Sequence, residues 1–204
     1  MSLRVDIRKL EIFNKICREG SIEVAESLSM MSGMDAEIEM AKINFLHIED
    51  VKSHIGNRDA VGISIELTES PYGSILFILD PDDSKNLAQS MMPGDMGGDD
   101  DASGFSAMEK SAIQEIGNIM TSSYIDGWAN VLHTTVNMTT PTFTYGGTDE
   151  IIEAMGGWPE NEMVFVLDSE ITTHDTDLDL TVYSFPKLES LVNLVRQIDV
   201  DADV

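Results

Sequence analysis

The sequence predicts an α/β (α+β) protein made of two similar halves with pseudo-two-fold symmetry, and three observations carry that prediction. Segments of helical and strand period recur in the same order at an offset near one hundred residues. Between the two runs lies Pro93 to Gly104, rich in glycine and aspartate, which reads as a flexible linker. Each half also carries a helix with one apolar face, and two such faces find cover by packing the halves together as an α/β sandwich. At 204 residues the chain can bury a substantial core. We read residues 1–204 as one domain whose repeats span about 5–92 and 106–198, joined by the linker at 93–105.

The elements follow in order. Arg8 to Met31 has helical period, and Glu37 to Ile43 alternates like a strand. Ala60 to Leu67 and Ser74 to Leu79 read as a hairpin turning at Ser70-Pro71-Tyr72-Gly73, before a helix from Asp83 to Met92. In the second half, Met108 to Ala129 is helical and Thr135 to Phe143 reads as a strand. Met163 to Leu167 and Leu178 to Phe185 form the later hairpin, before a helix from Leu188 to Ile198. Pro81 and Pro186 stand just ahead of the two final helices, near an N-terminus, where proline is tolerated.

Composition narrows the function classes. Thirty-seven acidic against twelve basic residues give a formal charge of −25, which repels nucleic acid and anionic membranes. The acids are spread through the whole chain as well as gathered in Gly97 to Asp101 and Asp199 to Asp203, a distribution that fits a salt-rich cytoplasm better than a single basic partner. There is no run of eighteen apolar residues and no signal-peptide pattern over Met1 to Arg18, so a cytoplasmic location without membrane insertion is expected. Cys17 is the only cysteine, and its place beside Phe13 and Ile16 suggests a buried thiol.

The most informative stretch is Ser111-Ala112-Ile113-Gln114-Glu115-Ile116-Gly117-Asn118, followed after twenty-two intervening residues by Pro141. At about 100° per residue, Ser111, Glu115 and Asn118 fall within an arc of roughly 60°, opposite Ala112, Ile113, Ile116, Ile119 and Met120. One face is built for a core and the other for a partner. A solvent-facing Ser, Glu and Asn on an amphipathic helix is ordinary by itself. The downstream proline at the end of a strand-like run, and the glycine within Glu115-Ile116-Gly117-Asn118, add the specificity.

This spacing resembles the S/D-xxx-E-xx-N-x22-P signature of the CheC/CheX/FliY chemotaxis phosphatases, and the likeness runs from about Val5 to Ile198. It most resembles an archaeal, halophilic CheC. The resemblance implies two long helices on one side of a shared antiparallel sheet. It also implies hydrolysis of the aspartyl phosphate of a phosphorylated CheY-like response regulator. Asn118 would orient the attacking water, Glu115 would reach the regulator's pocket lysine, and Ser111 and Pro141 would support the geometry. An amide has no accessible pKa, so Asn118 can position a water but cannot act as a base. Positioning suffices for an already reactive acyl phosphate. No cofactor of the chain's own is expected, Mg²⁺ being carried by the CheY partner; the family also implies CheD as a second partner, with no footprint to be found in the sequence.

In register, Glu11, Lys15, Arg18 and Ala41 stand where Ser111, Glu115, Asn118 and Pro141 stand, so the first site is expected to be inactive. A shifted register through Glu11 and Asn14 fails because position 37 is Glu rather than Pro. Glu11 and Lys15 are explained by a surface i,i+4 ion pair. The alternative to catalysis is an adaptor of the chemotaxis or motor-switch machinery that binds CheY or CheD. Other chemistry finds little support. His47, His54, His133 and His174 lack ligand spacing and read as surface or turn residues. Asp175, Asp177 and Asp179 begin like a calcium loop, but Leu180 and Pro186 stand at the glycine and glutamate positions. Gly146-Gly147 and Gly156-Gly157 read as turns, Trp128 and Trp158 as core or edge anchors, and the thirteen methionines as core packing.

Overall fold

A computed structural model describes residues 7–91, 101, 103–156, 163–173 and 178–197. Twelve elements follow in order: α1 (Ile7–Ser32), β1 (Ala36–His47), α2 (Ile48–Ile55), β2 (Ala60–Leu67), β3 (Gly73–Leu79), α3 (Pro81–Met91), α4 (Ala107–Leu132), β4 (Thr142–Gly146), α5 (Thr148–Ala154), β5 (Met163–Thr173), β6 (Asp179–Pro186) and α6 (Leu188–Gln197). The strands form one antiparallel sheet in the order β1-β5-β6-β3-β2-β4. Raising every strand number of the first half by three, and lowering those of the second, returns the same order reversed. That is the two-fold relation the repeat implied, with β3 and β6 at its axis.

Alternation along the strands divides the interior into two cores. Ile75, Phe77 and Leu79 of β3 face one side, where α1, α3, α4 and α6 lie. Leu76 and Ile78 face the other, under Val51 and Ile55 of α2 and Ile151 and Ile152 of α5. The long helices α1 and α4 run antiparallel and meet where both chains are stripped of side chain. A Cβ on Gly127 would lie 2.6 Å from the Cα and the N of Gly20, so only glycine permits that approach. Tyr124 and Trp128 fill the space beside this crossing, both fully buried.

Two differences from the sequence reading bear on the site. The strand expected over Thr135 to Phe143 is instead β4 at Thr142–Gly146, preceded by an extended segment that meets β2 at an isolated Leu67–Met138 bridge. Ser64 pairs with Thr142 while Leu67 pairs with Met138, so the later segment holds one residue more than β2 over this stretch. Pro141 sits within that bulge and has no N–H for the ladder, which keeps the two pieces from forming one strand. A bulge of the same kind lies between Ile38 and Met40 of β1. The helices α2 and α5, not expected at all, cover the second face of the sheet. Met92, most of the linker, Gly157, Trp158, His174, Asp175, Asp177, Ile198 and the acidic tail lie outside the described residues.

Candidate active site

Helix α4 is fixed at its N-terminus before it presents any functional side chain. Ser106 accepts a hydrogen bond from the Glu109 N–H at 3.2 Å, and the Ser106 N–H donates to Glu109 Oε2 at 2.7 Å, closing a capping box with both residues buried. Phe105 just before it packs at 5.5 Å against both Phe143 and Tyr145, tying the helix start to β4. Lys110 lies 5.6 Å over the Phe143 ring and pairs with Asp101. Hydrogen bonds from Lys110 and Ser103 hold the Asp101 carboxyl down to about 2.

Along α4 the residues divide as their spacing implies. Ala112, Ile113, Ile116 and Met120 are buried in the core, Ile119 is half-buried, Ser111 and Glu115 are exposed, and Asn118 is half-buried. Gly117 lets this part of the helix lie against β2: a Cβ there would stand 2.4 Å from Ile63 Cγ2. The Ser111 hydroxyl donates to the Ala107 carbonyl at 2.9 Å, which turns it back along its own helix. The side chains of Glu115 and Asn118 make no hydrogen bond with a described residue. They stand one turn apart on a rigid backbone with their polar ends unengaged, the state in which a group can meet a partner without first breaking a bond.

Pro141 is buried, and the segment before it is pinned to the end of β2. The Thr139 N–H donates to the Glu66 carbonyl and the Thr68 N–H to the Asn137 carbonyl, each at 2.9 Å. Because Lys110 adjoins Ser111 and Phe143 lies two residues past Pro141, the cation–ring contact shows that helix and bulge approach each other here.

In the first half, Glu11, Lys15 and Arg18 are exposed on α1 and Ala41 is half-buried on β1. Glu11 and Lys15 do not form the expected ion pair; an exposed pair at this spacing gains too little to hold two long side chains together. Cys17 is buried as expected, and burial pushes its thiol up to about 11. His54 is not a plain surface residue: its Nε2 lies 2.8 Å from Asp168 Oδ2, and Asn44 Nδ2 donates to the same carboxylate at 3.2 Å. Met30, Met40 and Met108 are exposed rather than in the core, at 80%, 38% and 50%. Among the described residues, no group of three or more His, Cys, Asp or Glu could hold a metal ion.

The CheC-like family pattern matches residues 108–145, the span from Met108 through Tyr145 that holds Ser111, Glu115, Asn118 and Pro141. A Halobacterium salinarum protein, provisionally named CheY-P phosphatase CheC1, is 38% identical over 198 residues, covering 97% of this chain and all of the relative. The chain belongs to the CheC-like family. Its fold is likewise that of Thermotoga maritima FliY, at a TM-score of 0.72 and 20% identity, with 95% of this chain and 97% of that one covered. The FliM middle domain of H. pylori shares it too, at a TM-score of 0.68 and 11% identity, over 95% of this chain and all of that one. At such identities these two likenesses speak for the fold alone. No helix among the described residues of this CheC-like chain is long and apolar enough to cross a membrane.

Proposed function

We propose that this CheC-like protein ends a chemotaxis signal by hydrolysing the aspartyl phosphate of a phosphorylated CheY-like response regulator, with one active site on α4. The observation that carries the reading is the pair Glu115 and Asn118, side by side, unengaged, on a helix whose back is locked into the core. The name of the Halobacterium salinarum relative supports it. Glu115 docks on the regulator's pocket lysine, and Asn118 enters the pocket and holds a water in line with the phosphorus. That water attacks, the bond from phosphorus to the aspartyl oxygen breaks, and the products are orthophosphate and a free carboxylate. The acyl phosphate, Mg²⁺ and lysine belong to the regulator, so this chain contributes geometry and a charge contact only. Ser111, bonded to its own helix, and Pro141, buried in the bulge, hold the surroundings.

The test is the lifetime of the cognate phosphorylated regulator with and without the protein. Asn118→Ala is expected to fold normally and to lower the rate by on the order of 10²-fold through lost positioning. Glu115→Ala is expected to raise the KM for the regulator. Lys15→Ala and Arg18→Ala are expected to leave the rate unchanged. Full activity in Asn118→Ala overturns the assignment. A second reading, an adaptor that binds without catalysis, is favoured by the first half, where Lys15 and Arg18 stand in place of Glu115 and Asn118. A wild-type protein that binds the regulator and leaves its lifetime unchanged would establish it.

A further inference from the structure

A groove of about 450 Å³ opens between α1 and β1, lined by Asn14, Lys15 and Arg18 on the helix and residues 38–41 on the strand. Counted forward by one hundred residues, these positions become 114, 115, 118 and 138–141, the strip that carries Glu115, Asn118 and Pro141. The groove is therefore the first half's counterpart of the candidate catalytic strip. Its charge is inverted: Lys15 replaces a carboxylate and Arg18 replaces an amide.

Two cations one turn apart repel each other, an arrangement that by itself destabilises a helix by a few tenths of a kcal/mol. Here they are exposed, and neither makes a hydrogen bond or ion pair with a described residue. Elsewhere in the chain, Lys52 and Lys110 pair with Asp149 and Asp101, and Lys85 and Lys187 lie over Phe105 and Tyr72. Glu39, the extra residue of the β1 bulge, lines the groove without pairing with either cation. Ile38, Met40 and Ala41 add an apolar wall. In a chain of net charge −25, an unpaired cationic pair over an apolar cleft is complementary to carboxylates carried next to apolar side chains.

We infer that this groove docks an acidic segment of a partner protein, whose carboxylates meet Lys15 and Arg18 while an apolar side chain enters against Ile38, Met40 and Ala41. The space is several times that needed by one small anion, and the apolar wall of Ile38, Met40 and Ala41 suits a peptide side chain rather than a phosphate backbone. The site is independent of catalysis on α4, so the two can be tested apart.

The experiment uses the full chain and a fluorescein-labelled eight-residue peptide alternating aspartate and leucine, with its asparagine counterpart as control. Anisotropy is followed at the lowest salt that preserves the far-UV circular dichroism of the protein. The aspartate peptide is expected to bind at least about tenfold more tightly than the asparagine peptide. Lys15→Glu with Arg18→Glu is expected to remove that preference, and the milder Lys15→Gln with Arg18→Gln serves if charge reversal prevents folding. Glu115→Ala and Asn118→Ala are expected to bind the peptide like wild type. Four results overturn the inference: no binding by wild type at millimolar peptide, equal binding by the double variant, loss of binding in the α4 variants, or displacement by equimolar inorganic phosphate. Dimerisation of the free protein that disappears in the double variant would also overturn it, by assigning the groove to a second copy of the chain.

Discussion

Gly117→Ala tests whether the depth of α4 against the sheet sets the working position of Asn118. The new methyl would stand 2.4 Å from Ile63 Cγ2 and 3.2 Å from Ile63 Cδ1. The first distance is about 1 Å short of ordinary van der Waals contact, so either the helix retreats or Ile63 leaves its rotamer. Overpacking of this kind costs about 1–3 kcal/mol, and replacing glycine in a helix interior returns about 1 kcal/mol. The net loss of about 1 kcal/mol corresponds to a Tm lower by roughly 2–4 °C in a chain of this size. The effect on rate is larger, because a displacement near 1 Å in a positioning group is worth on the order of 10²-fold. The assay pairs a thermal melt with the lifetime of the phosphorylated regulator. Ile63→Leu removes the Cγ2 methyl at nearly constant volume, so the double variant is expected to regain most of the lost activity. The reasoning is refuted if Gly117→Ala retains full activity and stability, or if it loses activity that Ile63→Leu does nothing to restore.

Three further outcomes follow from the packing and the charge. Gly127→Ala drives a methyl to 2.6 Å from backbone atoms of Gly20, which cannot rotate away, and should lower Tm by about 5 °C; an unchanged melt would mean the helix crossing is looser than described. With a net charge of −25, Tm should rise from dilute to molar salt as self-repulsion is screened, in keeping with a relative from Halobacterium salinarum; a flat or falling melt would exclude halophilic adaptation. Burial, helped by Asp168, lifts the Cys17 thiol from 9.0 to about 11, so iodoacetamide at pH 8 should label the folded protein at least about 100-fold more slowly than the unfolded chain. Because the folded value is the higher one, this group's stabilisation is complete below pH 9 and disappears as pH rises to about 11, which an alkaline melt series measures.

The long helices were legible in the sequence because apolar and small residues recur every three to four positions over stretches too long for a strand. The same period placed Ser111, Glu115 and Asn118 on one face of α4. What backs that face was not legible, since Ile63 is 54 positions from Gly117 and no local pattern links them. The helices α2 and α5 escaped notice because at 8 and 7 residues they complete barely two turns, and their apolar positions make sense only once an outer sheet face exists to receive them. Pro141 misled the strand reading in an instructive way. Thr135 to Thr140 has β-forming residues, but ladder hydrogen bonds rather than propensity decide where a strand lies, and the proline within the bulge interrupts them. His54 was assigned to the surface because its partner, Asp168, lies 114 residues away.

The sheet order ties the two halves together in a way that bears on how they could come to differ. β1 finds its hydrogen-bonding partner in β5 of the second half, and β4 finds its own in β2 of the first. Half the molecule alone would keep one hairpin and strand its first β-segment, so the unit that completes itself is a pair with exchanged outer strands. Were that pair two identical subunits, symmetry would force the same side chains onto both long helices. Joined into one polypeptide, the pair is released from that rule: one copy holds Glu115 and Asn118 while the other holds Lys15 and Arg18, so a single chain presents two long-helix faces of different charge.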